Sequence, residues 1–482
     1  MTRTKPLNPI LLRSQPLAHQ KAAIAKLKSL KVGGLFMEMG TGKTFTSILL
    51  ASLRSHKITR VVYLCPVDLK TTIATELRKH IEQPQVYTFD EKTKQGQIPQ
   101  ADFYICGVES VGQSDRVTLA LNDLVCDRTF VVLDESDTCK NHAAKRTMRL
   151  TQICQRAKYR LIMTGTAVGE GVEDLYAQLY FLSPQILGYK SFYSFAANHL
   201  EFSKEYPGMV VNNLRVDYIT QRLEPYVYQV KKEECLDLPR QQYLTRAFDT
   251  TYEQRQLYWQ AKHELLNTLT DDEIDSYTIF RLFTALREIV SGFWNQTPDP
   301  RIDWRNTPEG DYNSTFHTCP HDRVALLLSV LKELPQGEPV VIWANFNYAI
   351  EQIVDALQTK GIAIATYYGQ TVDRDAELAR WRSGKAQALI ASPRCGGRGI
   401  DLTRARYAIF YNNDFPYRLR DQAEARIHRI GQERPVTYID LVCRDTIDGR
   451  IVNALWAKEN LAQRFKKELQ GQQEKRQKLL QL

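Results

Sequence analysis

Short runs of apolar residues recur through the first 185 residues of the chain, and in each run consecutive positions are hydrophobic. This pattern is typical of strands buried on both faces of a parallel sheet. Amphipathic helical stretches separate the runs, for example 43–55 and 70–81. The predicted strands are GGLFME (33–38), RVVYLCP (60–66), DFYICG (102–107), TFVVLDE (129–135) and YRLIMTG (159–165). The alternation of strands and helices predicts a parallel sheet covered by helices.

A second series of the same kind begins after about residue 323. Its predicted strands are PVVIWAN (339–345), IAIATYYG (362–369), AQALIAS (386–392), YAIFYNN (407–413) and VTYIDLVC (436–443). The stretch 185–322 between the two series is richer in tyrosine and charged residues, and 252–289 has the pattern of a long amphipathic helix. The sequence therefore predicts an α/β protein with two lobes of similar size.

The composition is that of an ordinary globular protein. Of the 482 residues, 43% are hydrophobic and 25% are charged, which excludes a collagen, a coiled-coil rod and a disordered chain. No apolar run approaches the roughly 18 residues that a membrane helix needs. The first residues lack the apolar core of a signal peptide, so we expect a soluble, cytoplasmic protein.

The net charge and the cysteine content say little about possible partners and about the cellular compartment. The 64 Lys and Arg against 55 Asp and Glu give a net charge of +9, which permits a polyanionic partner without requiring one. The nine cysteines are odd in number and form no CxxC pair, a pattern that suits a reducing compartment.

A glycine-rich segment follows the first predicted strand and opens a helix, which is the context of a phosphate-binding loop. Glycines let backbone N–H groups approach phosphates closely. The strict pattern has glycine at position 37, where this chain has Met37. Taken alone, the segment is also compatible with a simple turn at a helix start. The residues predicted to bind the nucleotide here are Met39, Gly40, Thr41, Gly42, Lys43 and Thr44.

Two adjacent carboxylates, Asp134 and Glu135, end the apolar run 131–133. Lys43 would reach the β- and γ-phosphates, and the Thr44 hydroxyl with Asp134 would bind Mg²⁺. Glu135 would orient the attacking water or accept its proton. An Asp-Glu pair is otherwise common in solvated turns. Its place at the end of an apolar strand, behind a phosphate-binding loop, favours the catalytic interpretation.

The motifs together resemble those of the Swi/Snf-type ATPases of helicase superfamily two. The resemblance extends over roughly residues 14–460, and its most specific segment is QAEARIHRIGQ (422–432). It is supported by MEMGTGKT, LDESDTCKN, MTGTAVGEG, CPVDLKTTIATEL and ASPRCGGRGIDLT. The resemblance implies two RecA-like lobes, parallel sheets flanked by helices, with a small helical insertion between them. ATP with Mg²⁺ would bind between the lobes, and double-stranded DNA would lie across both.

The resemblance also implies roles for individual residues. Arg426 and Arg429 would act as arginine fingers on the transferring phosphoryl group, and their i, i+3 spacing predicts that both project from one helix towards the same cleft. Gln20 would read adenine, although an amide on a helix surface explains it as well. The residues expected to couple ATP state to lobe movement are Thr164, Gly165, Thr166 and Gln422. The residues expected to meet DNA phosphates without reading sequence are Pro66, Ser110, Ser392 and Gly397.

Three positions depart from the family pattern. The usual DEAH box is DESD here, so that Asp137 replaces a histidine and leaves open how tightly hydrolysis is coupled to DNA. Arg398 occupies a position that is usually small or apolar, and Asp401 replaces a common asparagine. None of these changes removes a predicted catalytic group, so we expect an active enzyme.

The motif positions divide the chain into four predicted parts. Residues 1–239 would form the first lobe, with a short helical protrusion at about 185–222, and 240–322 a helical linking region. Residues 323–451 would form the second lobe, and 452–482 a basic brace helix. We expect a minimal, bacterial or phage-like motor that translocates on double-stranded DNA and remodels protein–DNA complexes or branched DNA. A strand-separating DNA or RNA helicase and an ATP-gated nucleic-acid clamp that recruits other factors remain alternatives.

Overall fold

The computed structural model describes residues 5–165, 172–202, 210–267, 276–296, 315–397 and 399–457 of the chain. The chain divides into two units, Met1–Asp237 and Leu238–Leu482. Each unit contains one fully parallel main sheet with helices packed on both faces. The predicted fold class, α/β with two RecA-like parallel sheets, is confirmed.

The first unit is built on a seven-stranded sheet with the strand order β3-β4-β2-β5-β6-β1-β9. Its strands are β1 (Val32–Met37), β2 (Arg60–Cys65), β3 (Val86–Thr88), β4 (Phe103–Gly107), β5 (Thr129–Asp134), β6 (Tyr159–Thr164) and β9 (Val227–Val230). All neighbouring strands in this sheet run parallel. A separate antiparallel hairpin is formed by β7 (Leu200–Phe202) and β8 (Val210–Asn213).

Both faces of this sheet are buried, as the continuous apolar runs predict. Along β2, Val62 and Leu64 belong to one hydrophobic cluster, whereas Val61 and Tyr63 belong to the cluster on the opposite face. Successive strand side chains point to opposite faces, so a strand covered on both sides must be apolar throughout. The covering helices are α1 (Ala18–Leu27), α2 (Lys43–Arg54), α3 (Lys70–His80), α4 (Val108–Gln113), α5 (Asp115–Leu124), α6 (Lys145–Cys154), α7 (Glu173–Leu182), α8 (Pro184–Leu187), α9 (Phe192–His199), α10 (Val216–Leu223) and α11 (Lys232–Cys235).

The second unit is built on a six-stranded parallel sheet with the order β10-β17-β16-β13-β15-β14. Its strands are β10 (Gln241–Phe248), β13 (Val340–Trp343), β14 (Ile364–Tyr367), β15 (Ala388–Ala391), β16 (Tyr407–Phe410) and β17 (Val436–Cys443). A hairpin of β11 (Phe293–Gln296) and β12 (Thr315–Thr318) lies outside this sheet. The helices are α12 (Tyr252–Asn267), α13 (Ser276–Val290), α14 (Arg323–Glu333), α15 (Asn347–Thr359), α16 (Arg374–Arg382), α17 (Pro393–Gly396), α18 (Tyr417–Glu424) and α19 (Ile447–Trp456).

All ten predicted strands are present, most of them one or two residues shorter at an end than predicted. The predicted helical linking region, 240–322, contains strands as well as helices. Residues 241–248 form β10, which pairs in register with all of β17 at one edge of the second sheet. The predicted long helix over 252–289 corresponds to α12 and α13, which are described as separate helices.

The structure also bears on the apolar runs, the cysteines and the basic C-terminal stretch. Within the part of the chain that the structure describes, every helix falls short of the length or apolar character that crossing a membrane requires. All nine cysteines lie in described ranges, and all are free thiols. Cys126, Cys235 and Cys395 are half-buried, and the other six are buried. The basic stretch from Lys458 to Lys478, like Thr166 and Arg398, lies outside the described residues.

Candidate active site at the carboxyl edge of the first sheet

The predicted catalytic segments of the first unit follow the carboxyl ends of three adjacent strands. They therefore lie at the same edge of the sheet. Strands β5, β6 and β1 are consecutive neighbours, and their parallel register pairs Asp134 with Met163 and Phe36 with Thr164. Neighbouring strands lie about 4.8 Å apart, so the ends of β5 and β1 are about 10 Å apart across β6. The ends of these three strands therefore lie close together at one edge of the sheet.

The glycine-rich loop between β1 and α2 has the backbone that phosphate binding needs. Gly40 and Gly42 adopt φ angles of 85° and 86°, a left-handed conformation that glycine tolerates best. Helix α2 begins at Lys43, directly after the loop, so its first N–H groups face the loop. Met37 is the last residue of β1 and its side chain is buried. That position needs extended backbone and an apolar side chain, so the departure from glycine does not disturb the loop.

The amine of Lys43 lies at the ends of β1 and β6. Its Nζ donates a hydrogen bond of 2.9 Å to the carbonyl oxygen of Met37. A Cβ placed on Gly165 would lie 3.6 Å from Nζ of Lys43 and 3.0 Å from Cγ of Met39. The predicted coupling segment after β6 therefore contacts the phosphate-binding loop, and a larger residue at position 165 would crowd it. Thr164 beside it is fully buried.

Two side chains of α1 hold one carbonyl group of the loop. His19 Nε2 and Gln20 Nε2 donate to the carbonyl oxygen of Thr41 at 2.8 and 3.2 Å, and Oε1 of Gln20 accepts from the backbone N–H of Leu17 at 3.0 Å. A Cβ on Gly42 would come within 2.3 Å of the Gln20 amide nitrogen. Gln20 is thus buried against the loop and is not a surface amide. His19 was not predicted, and its place next to Gln20 is the only sequence signal for it.

The two carboxylates at the end of β5 are both buried. Glu135 has a left-handed φ of 48°, and its backbone N–H donates to Oδ1 of Asp134 at 3.0 Å. Burial raises the pKa of the Tyr63 phenol and the charge of Asp134 raises it further, although a hydrogen bond with Ser47 opposes both. Ser47, three residues after Thr44 on α2, lies 2.8 Å from the Tyr63 hydroxyl. Asp134 therefore lies near the first turn of α2.

The unusual DESD sequence is anchored to α7. Ser136 Oγ donates to Oε1 of Gln178 at 2.6 Å, and Gln178 Nε2 donates to the carbonyl oxygen of Asp174 at 2.8 Å. Lys140 forms an ion pair of 3.3 Å with the side chain of Asp174. Asp137 itself is buried. The polar side chains after Glu135 thus join the end of β5 to a neighbouring helix.

A further residue ties the edge strand β9 to the loop and was not predicted. The Glu38 carboxylate accepts from the backbone N–H of Lys232 at 2.8 Å, and the Glu38 N–H donates to the carbonyl oxygen of Val230 at 3.1 Å. Glu38 stands between β1 and the glycines, so these bonds fix where the loop starts. A carboxylate just before the loop was visible in the sequence, but its partner lies almost 200 positions away.

The predicted DNA contacts of the first unit also follow neighbouring strands. Pro66 comes directly after β2, and Ser110 lies in α4, which follows β4, the neighbour of β2 in the sheet. A Cβ on Gly107 would lie 2.5 Å from Val67 Cγ2 and 3.2 Å from Ser110 Oγ, so the two segments are in contact. The structure brings Pro66 and Ser110 to the same sheet edge as Lys43.

In the second unit, the prediction that Arg426 and Arg429 project from a helix is wrong. Helix α18 ends at Glu424, and both arginines lie in the turns that follow. The carbonyl oxygen of Arg426 accepts from the N–H of Leu402, a residue of a different loop. Gly431 has a φ of 100°, which also departs from helical geometry. Both guanidinium groups are half-buried and lie close in sequence, but their relative direction is set by turns.

Asp401, the replacement for asparagine, lies near Arg429. Burial alone would raise the pKa of the Asp401 carboxyl, but hydrogen bonds from the Thr403 N–H and hydroxyl and the charges of Arg429 and Arg382 outweigh burial and lower it. The Thr403 bonds measure 3.0 Å and 2.7 Å. The substituted carboxylate is therefore ionised and supplies Arg429 with an acidic neighbour.

The short helix α17 carries the predicted contacts Ser392 and Gly397. Ser392 Oγ accepts from the Cys395 N–H and so caps the helix. A Cβ on Gly397 would lie 2.3 Å from the carbonyl oxygen of Pro393 and 3.5 Å from the Cβ of Gln422. Only glycine fits there, and the buried Gln422 of α18 lies directly against it. The predicted DNA and coupling residues of this unit are therefore neighbours.

The comparisons with known proteins identify the family. The model of the SNF2-related domain matches residues 19–292, more than half of the chain. The chain belongs to the SNF2-related family. The model of the helicase conserved C-terminal domain matches residues 322–431 of this SNF2-related chain. The resemblance inferred from the motifs is thus confirmed.

Individual relatives of the SNF2-related chain are distant. It is 25% identical to Chromodomain-helicase-DNA-binding protein 1-like of Danio rerio over 431 residues, covering 85% of this chain and 40% of that protein. It is 23% identical to an uncharacterized ATP-dependent helicase of Mycoplasma genitalium, covering 92% of this chain and 42% of that protein. The chain thus spans about two-fifths of the length of these relatives. A solved Sulfolobus solfataricus SWI2/SNF2 ATPase core in complex with dsDNA is 20% identical, with a TM-score of 0.43 and coverage of 98% of this chain and 97% of that one.

The groups at the carboxyl edge of the SNF2-related chain fit a Mg²⁺-bound nucleotide. Thr44 is half-buried in the first turn of α2, and Asp134 ends β5. A hydroxyl and a carboxylate are the hard oxygen ligands that Mg²⁺ prefers. The positive φ angles of Gly40 and Gly42 shape a loop whose backbone N–H groups can cradle phosphates.

Proposed function

We propose that this SNF2-related chain hydrolyses ATP and uses the energy to move along double-stranded DNA. The observation that supports this most directly is the convergence of Lys43, the glycine-rich loop, Asp134 and Glu135 at the ends of β1, β5 and β6. The coupling segment at Gly165 lies within contact distance of Lys43 in that group. A binding loop, an acidic strand end and a sensor of the phosphate in one place are what a nucleotide-driven motor requires.

Each group of the first unit has a distinct task in this proposal. Lys43, which donates to the Met37 carbonyl, would neutralise the β- and γ-phosphates, and Thr44 and Asp134 would hold Mg²⁺, which would supply further positive charge to the phosphate oxygens. Glu135 orients the attacking water and accepts its proton. His19 and Gln20 hold Thr41 so that the loop keeps its binding conformation.

In the second unit, Arg426 and Arg429 stabilise the negative charge that develops on the transferred phosphoryl group. Such a group accelerates the reaction only when it is placed correctly in the transition state. The ionised Asp401 near Arg429 restricts the positions that the guanidinium can take. Gln422 lies against Gly397 and so connects the arginine turns with the segment that would bind DNA.

We assign DNA contact to the segments around Pro66, Ser110, Ser392 and Gly397. Small side chains there let backbone N–H groups approach phosphates, which gives binding without sequence readout. The net charge of +9 is compatible with such a partner. The names of the relatives, which include a DNA-binding helicase, support DNA over RNA.

The test is ATP turnover measured with duplex DNA, single-stranded DNA, RNA or no nucleic acid. We expect duplex DNA to stimulate the wild-type chain most strongly. Lys43→Ala should lose ATP binding, whereas Glu135→Gln should bind ATP but turn it over at least about 100-fold more slowly. Glu91→Gln, a change of an exposed carboxylate, serves as the matched control. Equal turnover in the wild type and Glu135→Gln would refute the assignment, and preferential stimulation by a single strand would favour strand separation.

A further inference from the structure

The second unit contains a cavity that the proposed hydrolysis does not use. Its volume is about 450 Å³, within the range of small-molecule sites. The wall is formed by residues of β10, α18 and α19. These residues are Tyr243, Tyr417, Arg420, Glu424, Leu455 and Trp456. Three aromatic rings and a carboxylate–guanidinium pair thus share one small space.

Arg420 lies between Glu424, a carboxylate of the cavity wall, and Asp440, a carboxylate that does not line the cavity. Arg420 Nε donates to Oε1 of Glu424 at 2.5 Å, and its Nη2 donates to Oδ2 of Asp440 at 3.2 Å. Asp440 is fully buried, and the guanidinium of Arg420 stacks on Phe410 at 3.4 Å. One cation thus faces two carboxylates. Burial of the Glu424 carboxyl raises its pKa, and the charge of Arg420 opposes this shift.

The aromatic walls add to the negative potential. The Tyr243 hydroxyl donates to Oε2 of Glu424 at 2.8 Å, which holds this ring beside the carboxylate. Trp456 is 57% exposed, an unusual position for so large an apolar side chain. The face of an aromatic ring attracts cations, and tryptophan does so most strongly.

We propose that this cavity binds an alkylammonium cation, the group that a lysine side chain or a choline-like molecule presents. The Glu424 carboxylate attracts the positive charge, and the rings of Tyr243, Tyr417 and Trp456 contact its alkyl groups. Arg420 already bonds to two carboxylates, so an anion would gain little from it, and a neutral ligand would gain nothing from Glu424. The site is separate from the groups assigned to ATP and lies at the end of α18, two residues before Arg426.

The test compares two probes of the same shape, choline and its neutral isostere 3,3-dimethylbutan-1-ol, by calorimetric titration of the full chain. We expect choline to bind at least about tenfold more tightly, the size of effect that cation–π contact and a nearby carboxylate produce. Trp456→Ala should abolish saturable choline binding. Trp259→Ala, which removes another exposed tryptophan of the same unit, should leave it unchanged. Equal affinities for the two probes, or an unchanged affinity in Trp456→Ala, would overturn the proposal.

Additional titrations test the roles of Glu424 and Tyr243 and the source of the cation. Glu424→Gln should reduce the preference for choline over the neutral probe while leaving the weak affinity for the neutral probe in place. Circular dichroism of this variant must match the wild type for the comparison to count, and Tyr243→Phe, which removes only the bond to Glu424, gives a milder version of the same test.

A lysine-containing peptide and its trimethyl-lysine form distinguish a protein source of the cation from a free small molecule. Failure of both peptides and choline to bind would refute the site.

Discussion

The contact between Gln20 and Gly42 offers a sharp test of how the phosphate-binding loop is held. Gly42 has a φ of 86°, and a Cβ there would lie 2.3 Å from the Gln20 amide nitrogen. Gly42→Ala therefore acts in two ways. It strains the backbone, and it displaces the Gln20 side chain from the carbonyl oxygen of Thr41.

Both effects have known magnitudes. A non-glycine residue in the left-handed region costs about 1–2 kcal/mol. Loss of the hydrogen bond between Gln20 and Thr41 costs about 0.5–1.5 kcal/mol. The total of about 2 kcal/mol corresponds to roughly 30-fold weaker nucleotide binding, because the loop must keep this conformation to hold phosphates.

The assay is titration with a fluorescent ATP analogue, combined with thermal unfolding. Gly96→Ala is the matched control, since Gly96 has a φ of 72° but nothing within 4 Å of its Cβ position. That variant should be somewhat less stable and should bind nucleotide normally. In the double variant Gln20→Ala/Gly42→Ala the clash is absent, so its loss of affinity should be about 1 kcal/mol smaller than the sum of the single losses.

Two results would refute this reasoning. One is a Gly42→Ala affinity within about twofold of the wild type. The other is additivity of the two substitutions to within about 0.3 kcal/mol, which would mean that the side chains do not interact.

Three further predictions concern the second unit. Arg429→Ala should abolish ATP turnover while nucleotide titration shows near-normal binding, and unchanged turnover would contradict its role. The Asp414 carboxyl is buried, which raises its pKa, but the charge of Arg287, the hydrogen bond from the Phe415 N–H and the contact with Arg394 together outweigh burial, and the net shift is downward from 3.8. The stabilisation from Asp414 is thus present above pH 3.8 and lost as the pH falls below it, so the melting-temperature gap between wild type and Asp414→Asn should shrink on acidification; a constant gap argues against this. Gly397→Ala, whose Cβ would lie 2.3 Å from the Pro393 carbonyl oxygen, should lower stability by about 1–3 kcal/mol and weaken DNA binding, and an unchanged melting curve would contradict the close contact.

The strands of both sheets were predictable because a strand that is buried on both faces appears in the sequence as a continuous apolar run. In β5 every residue is buried, and every position up to Leu133 except Thr129 is apolar, so the pattern was visible without knowledge of the neighbours. The phosphate-binding loop was predictable for a similar reason, since glycine, lysine and threonine each meet a local need of the loop. Met37 replaces the glycine of the strict pattern, and its position inside the buried strand β1 explains why an apolar side chain is suitable there.

Strand β10 could not be predicted in the same way. It lies at the sheet edge, most of its residues are exposed or half-exposed, and it begins with two glutamines. Its partner β17 is nearly 200 residues away in the sequence. Pairing between such distant segments is decided by tertiary contacts and leaves little signal in the local pattern.

The prediction that Arg426 and Arg429 project from one helix was wrong for a different reason. The sequence around Arg426 has good helix formers, and its spacing suggested one helix face. The helix ends at Glu424, and in the turns that follow the Arg426 carbonyl oxygen accepts from the Leu402 N–H. Hydrogen bonds to a separate loop outweighed local propensity, as they often do at functional sites.

The distribution of thiols has a practical consequence for measuring motion. Burial raises the pKa of buried thiols such as Cys65 and Cys106, and the thiolate is the form that reacts, so these positions resist alkylation. The half-buried thiols include Cys235 in the first unit and Cys395 in the second. Cys235 borders the cavity beside His19, and Cys395 lies in α17. With Cys126, the other half-buried thiol of the first unit, replaced by serine, the chain would keep one attachment point for a dye on each unit, and energy transfer between a donor and an acceptor there would follow a nucleotide cycle in real time.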